Sequence, residues 1–263
     1  MRRRPTLGQR VKQMFAPIGV AILAGWKWVV LVLKFGLPFL KVGGTMLISV
    51  WVYSMAFGWK FALGFVLLIF VHEMGHLIAA KMVGLKVGLP MFIPFVGAMI
   101  ALREAPRNAW IESIIGIGGP ILGSIGAAAC VGLYFLTGYP IFMALAYSGF
   151  LINLFNLIPI VPLDGGRIVT AISPWLWVVG LAILLPYLFI YVRGPFMLVA
   201  LFIVVMSFPR VMALFRRRTA AQMRYFECTP TQRAVMAVMY FGLVFLLYIG
   251  MGYVRRFMQI NQA

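Results

Sequence analysis

The chain has 263 residues, 63% of them hydrophobic and only 11% charged, with 23 Lys and Arg against 5 Asp and Glu. So apolar a composition excludes a soluble globular domain and reads as an all-α polytopic membrane protein. The net charge of +18 is not a nucleic-acid signature, because the basic residues fall in short clusters between apolar runs, where they fix topology and meet anionic lipid.

Residues 1–14 carry Arg2, Arg3, Arg4, Arg10 and Lys12, a strong anchor for the cytoplasmic face. Residues 16–42 are apolar but hold Lys27, Lys34 and Lys41 at two-turn spacing, so the lysines share one helical face. The pattern predicts an amphipathic helix lying on the membrane rather than crossing it. No cleavable signal peptide is read there, since Lys27 interrupts the apolar stretch and no small-residue cleavage site follows. Cys130 and Cys228 are too scattered for a disulfide framework or a cysteine metal site.

Apolar spans are expected at about 44–58 and 61–83. The second, FALGFVLLIFVHEMGHLIAA over 61–80, is interrupted by His72, Glu73 and His76. Residues i and i+4 share a helix face, so the two imidazoles reach one ion, and Glu73 stands close enough to take a proton from water beside it. This is the H-E-x-x-H pattern of zinc peptidases. Such a short pattern arises by chance in many helices. Here His72 and His76 are the only histidines, Glu73 is one of five acidic residues, and all three are costly inside an apolar span.

Residues 84–103 are apolar but carry Gly88, Pro90, Pro94 and Gly97, which oppose a continuous helix and predict a re-entrant loop that packs into protein or lines a wet cavity. Arg103, Glu104 and Arg107 mark a polar border after it. A span at about 110–136 has Gly119 and Gly123 at small-xxx-small spacing, with Gly116, Gly126 and Ala127 extending the smooth surface for close helix packing. Further spans are expected at 141–163, 174–192, 195–212 and 234–253, the last two separated by the basic loop 216–224. With an amphipathic surface helix and a re-entrant loop, this makes six to seven transmembrane helices. The amino terminus lies inside, which leaves only Lys60, Arg193, Arg255 and Arg256 of the basic residues outside. Three segments are expected: 1–43 basic and amphipathic, 44–173 the catalytic core, and 174–263 additional helices.

Two histidines leave a catalytic zinc site incomplete, because such sites take three protein ligands and one open position. The remaining carboxylates are Glu104, Glu112, Asp164 and Glu227, and Asp164 is the only aspartate. Pro159 and Pro162 before it break the helix, and Gly165 and Gly166 after it permit close backbone approach. That presents a carboxylate on a broken helix end, as a third ligand requires; the alternative is an aspartate capping the next short helix. The three glutamates read as polar-border residues away from the metal.

The pair VHEMGH (71–76) and NLIPIVPLDGGR (156–167) resembles the site-2 protease family of intramembrane zinc metalloproteases. That family pairs H-E-x-x-H on one membrane helix with N-x-x-P-x-x-P-L-D-G near the end of a later one, with a Gly-Pro helix between, here Gly119-Pro120. The resemblance covers about 61–170 and leaves no room for the PDZ or CBS domains of better-known members. It implies one Zn²⁺ per chain held by His72, His76 and Asp164, with Glu73 as catalytic base. It further implies that Asn156 holds substrate or polarises its carbonyl. The expected activity is hydrolysis of peptide bonds within or near transmembrane segments of membrane-protein substrates. The expected setting is a bacterial-type plasma membrane with the site toward the cytoplasm; substrate helix and bilayer are partners and nucleic acid is not. Two competing readings are a metal-binding membrane transporter, which shares intramembrane histidines and carboxylates, and a catalytically silent family member, against which the intact Glu73 speaks.

Overall fold

The computed structural model describes residues 37–93, 97–102, 104–191, 196–217 and 219–260. The basic amino terminus and nearly all of the amphipathic surface helix expected before residue 43 lie outside the described residues. The elements run α1 (Leu37–Phe57), α2 (Trp59–Met82), β1 (Val87–Ile93), β2 (Gly97–Leu102), α3 (Ala109–Thr137), α4 (Ile141–Asn156), α5 (Asp164–Ile172), α6 (Leu176–Tyr191), α7 (Phe196–Leu214), α8 (Ala220–Tyr225) and α9 (Pro230–Ile260).

Among the described residues, three helices are long and apolar enough to cross a membrane, namely α2, α3 and α9. They make the chain an integral membrane protein, but they correct the expected six to seven spans. The other four apolar runs form the shorter apolar helices Val42–Phe57, Ile141–Asn156, Leu176–Pro186 and Leu201–Leu214. A crossing needs about 20 apolar residues in helix. The run 141–163 has the composition but not the helix: α4 stops at Asn156, because Pro159 and Pro162 cannot continue it, and a turn carries the chain to α5. Pro186 lies inside α6 and Pro209 inside α7.

The segment expected as a re-entrant loop is an antiparallel hairpin. Val87 pairs with Leu102 and Ile93 with Gly97, with an irregularity between Val87 and Pro90, where proline has no N–H to give the ladder. Phe92 is buried against Val66 and Ile69 of α2, and its backbone N–H donates to Thr45 Oγ1 of α1 at 3.3 Å. The hairpin is thereby seated on the helix that carries both histidines.

Helix α3 is the plate on which the rest is assembled. Asn108 caps it, its side chain accepting from the Ile111 N–H at 2.9 Å. Its glycines let neighbours come to backbone distance. A methyl group on Gly118 would lie 2.6 Å from the Gly75 carbonyl oxygen and 2.7 Å from Ala79 Cβ, so α2 and α3 cross with no side chain between them. One on Gly116 would meet Ile168 and Arg167 of α5 at 3.1 and 3.2 Å. The small-residue surface expected from the sequence is thus in contact with α2 at one level and α5 at another.

The turn before α5 is tied down by polar contacts. Tyr240 of α9 donates to the Leu157 carbonyl at 2.6 Å, and Trp177 Nε1 donates to the Gly166 carbonyl at 2.8 Å. Arg233 of α9 donates to the Ile172 carbonyl at 2.7 Å, at the carboxyl end of α5. Gly165 and Gly166 lie so close to the Leu157–Val161 backbone that any side chain would overlap it. The amino end of α5, and Asp164 with it, is therefore fixed against α3.

Candidate metal centre

His72, Glu73 and His76 occupy the inward face and adjoining position of α2 and are buried at 5–7% exposure. Each offers a ligand-capable atom within 4.8 Å of the others. Asp164, the first residue of α5, is buried too and turns its carboxylate toward the imidazoles. Its Oδ2 lies 3.0 Å from His72 Nε2 and 3.1 Å from His76 Nε2, and the two Nε2 atoms are 3.1 Å apart. The residue preceding α5, Leu163, makes no side-chain cap, and Asp164 faces the histidines rather than the helix end.

The outer ring nitrogens fix what the inner ones are. His76 Nδ1 lies 2.7 Å from the Ile115 carbonyl oxygen, which only accepts, so Nδ1 carries the proton. Asn153 of α4 donates its amide N–H to the Gly149 carbonyl at 2.7 Å, which leaves its Oδ1 facing His72 Nδ1 at 2.8 Å. His72 Nδ1 is therefore also a donor. In neutral imidazoles both Nε2 atoms then hold lone pairs, and they converge with a carboxylate oxygen. Three acceptors in mutual contact repel one another unless a cation lies among them. Metal–ligand bonds of about 2.0–2.2 Å in a tetrahedron place ligand atoms about 3.3–3.6 Å apart, so the triangle fits a zinc-sized ion after opening by a few tenths of an ångström. The outer hydrogen bonds are those that metal-bound histidines use to hold their rings.

Residues 60–149 match the peptidase family M50. The chain is 35% identical over 107 residues to the zinc metalloprotease MJ0392 of Methanocaldococcus jannaschii. That alignment takes in 39% of this chain and 31% of the relative, so the chain spans about a third of the length of the curated relative it matches. The M50 match includes His72, Glu73 and His76 and ends before Asp164, so the carboxylate of the triangle comes from outside it.

The structure brings together His72, His76, Glu73 and Asp164. Asn156 ends α4 and is half-buried; the asparagine that meets His72 is Asn153, one turn earlier. Sequence reading passed over Asn153, although an amide inside an apolar helix is itself a signal. The packing around it is close: a methyl group on Gly123 of α3 would lie 2.8 Å from its Nδ2.

Glu112 is a correction. Read from the sequence as a border residue, it is buried at 6% exposure in the first turn of α3. Tyr225 of α8 donates to its Oε2 at 2.5 Å, while Arg167 Nε and Arg210 Nη1 stand 4.0 and 3.9 Å from its Oε1. Arg167 also reaches back, its Nη1 4.0 Å from Asp164 Oδ1. Burial and the Glu112 carboxylate push the Tyr225 phenol well above its usual range, so it remains a donor. Glu104, by contrast, is exposed and pairs with Lys86 at 3.6 Å, at the polar border expected for it.

Proposed function

We propose that this protein is a zinc-dependent endopeptidase of the site-2 type, cutting peptide bonds within or near transmembrane segments of membrane-protein substrates. The observation that carries the reading is the triangle of His72 Nε2, His76 Nε2 and Asp164 Oδ2, three buried acceptors at 3.0–3.1 Å. These residues would hold one Zn²⁺ per chain. When bound, such an ion supplies Lewis acidity, polarising a carbonyl and acidifying water. Glu73, buried beside the triangle, accepts a proton from the attacking water and delivers it to the leaving amine. Asn153 and the Ile115 carbonyl hold the imidazole rings through Nδ1. Asn156 is assigned to the substrate carbonyl, from the end of the same helix as Asn153.

A peptide bond inside a membrane helix is hydrogen-bonded and shielded, so the substrate must unwind locally before attack. The hairpin supports a place for the unwound strand: β2 is an edge strand of a two-stranded sheet, and such an edge suits backbone pairing. The basic stretches at residues 2–12 and 216–224 favour the cytoplasmic side of a bacterial-type plasma membrane. Tyr225, directly after the second stretch, touches Glu112 near Asp164, which supports a site toward that same face. Against a transporter stands the single metal-competent cluster among the described residues, with no second station to continue a path.

The test is purified chain in detergent or nanodiscs, with zinc content measured beside cleavage of a membrane-helix substrate. Wild type should contain close to one zinc and cleave, whereas Glu73→Gln should keep the metal and lose cleavage. Full cleavage by Glu73→Gln would overturn the assignment.

A further inference from the structure

Asp164 divides its two oxygens between two kinds of cation. Oδ2 faces the histidine triangle, and Oδ1 faces Arg167 one helical turn further along α5, at 4.0 Å. Arg167 is in turn shared, its Nε standing at the same 4.0 Å from Glu112 Oε1. The charges alternate along this line: Asp164, Arg167, Glu112, Arg210. A guanidinium prefers to grip a carboxylate through both oxygens. Were Arg167 to do so with Asp164, it would take the oxygen that the triangle needs. Glu112 is what holds it off.

The geometry points to Glu112 as a positioning residue for the metal centre: it draws Arg167 away from Asp164, and Tyr225 and Arg210 govern how firmly it does so. This rests on the zinc reading above and adds a control to it. The two controlling side chains come from α7 and α8, beyond the M50-matched residues, and Arg210 lies with its guanidinium 5.9 Å over the Trp177 ring. The Tyr225 hydroxyl, at 2.5 Å, fixes the Glu112 carboxylate so that its other oxygen addresses both arginines. Displacing α8 therefore frees Glu112 to turn, releases Arg167 toward Asp164 and weakens the site from outside. Metal affinity then depends on the docking of a short helix beside a basic loop.

The experiment titrates Zn²⁺ into metal-stripped full-length protein against a chromophoric chelator, with thermal unfolding of each apo form as the folding control. Glu112→Gln should weaken zinc binding by about tenfold, the low end of what outer-shell changes cost. Glu112→Gln combined with Arg167→Gln should return to within about threefold of wild type, because the competing cation is gone. A purely structural role for Glu112 would leave the double variant as weak as the single one, and that result overturns the inference. So does wild-type affinity in Glu112→Gln. Tyr225→Phe carries the same test where Glu112→Gln does not fold: a smaller weakening, reversed by Arg167→Gln, is expected, and one that Arg167→Gln does not reverse refutes it. Wild-type protein that binds no zinc removes the metal reading itself and this inference with it, an outcome distinct from a bound wild type with an indifferent Glu112→Gln.

Discussion

Replacing Asn153 by leucine tests the least obvious part of the metal centre, since leucine keeps the branching at Cγ while removing the amide. Two hydrogen bonds vanish, to His72 Nδ1 at 2.8 Å and to the Gly149 carbonyl at 2.7 Å. The His72 N–H is left buried without an acceptor, a penalty of about 1–3 kcal/mol. Water does not take the place of the amide, because Gly123 of α3 packs directly on it. Nothing then selects the tautomer that leaves Nε2 free, and the ring loses its restraint. Outer hydrogen bonds of this kind are worth about 10–100-fold in metal affinity, or about 1.4–2.7 kcal/mol. We expect zinc affinity of Asn153→Leu to fall within that range by chelator competition, with His72, His76 and Asp164 all intact. Asn153→Asp separates the two bonds: it keeps an acceptor for His72 but sets a carboxylate oxygen against the Gly149 carbonyl. It should therefore lose more thermal stability than zinc affinity. Asn153→Leu protein that is folded and binds zinc within about twofold of wild type would falsify the argument, since the stated range begins at tenfold.

Other outcomes follow from the same geometry. Asp164→Asn removes a ligand charge without changing shape and should lose both zinc and cleavage, whereas Glu73→Gln should lose only cleavage, by about 10²–10⁴-fold, the usual worth of a general base. Gly119→Ala changes no ligand, yet its methyl group would overlap the His76 ring; metal analysis should find the zinc gone, and full occupancy would show that α3 yields there. Adding zinc to the apo chain should raise its unfolding temperature by ligand linkage, and the rise should be absent in His76→Ala.

The clustering of His72, His76 and Asp164 was legible in the sequence because its logic is local. Four-residue spacing puts His72 and His76 on one face, and Pro159, Pro162, Gly165 and Gly166 announce a broken chain around Asp164. Hydropathy misled where the chain breaks inside an apolar run. Ile141 to Leu163 reads as one span by composition, but its prolines end α4 at Asn156, and the count of crossings fell accordingly. Gly88, Pro90 and Gly97 correctly opposed a helix over 84–103 but could not announce that the two halves pair. Glu112 escaped for a different reason. Its neighbours in sequence look like a border, while Tyr225 and the two arginines that surround it come from α5, α7 and α8, far along the chain. Burial of a carboxylate by distant partners leaves no local trace.

Helix α9 contributes no ligand and shows most of its surface outward, with Val238, Phe241, Phe245 and Leu246 at more than half exposure. Yet its Tyr240 and Arg233 clamp the two ends of the segment that presents Asp164, through the carbonyls of Leu157 and Ile172. In the order of synthesis, amino-terminal elements emerge first. A nascent chain thus carries both histidines and the base on α2 well before the clamp on the carboxylate exists. On the proposed reading, a complete metal centre then forms only after α9 has docked, although α9 places no side chain at the triangle.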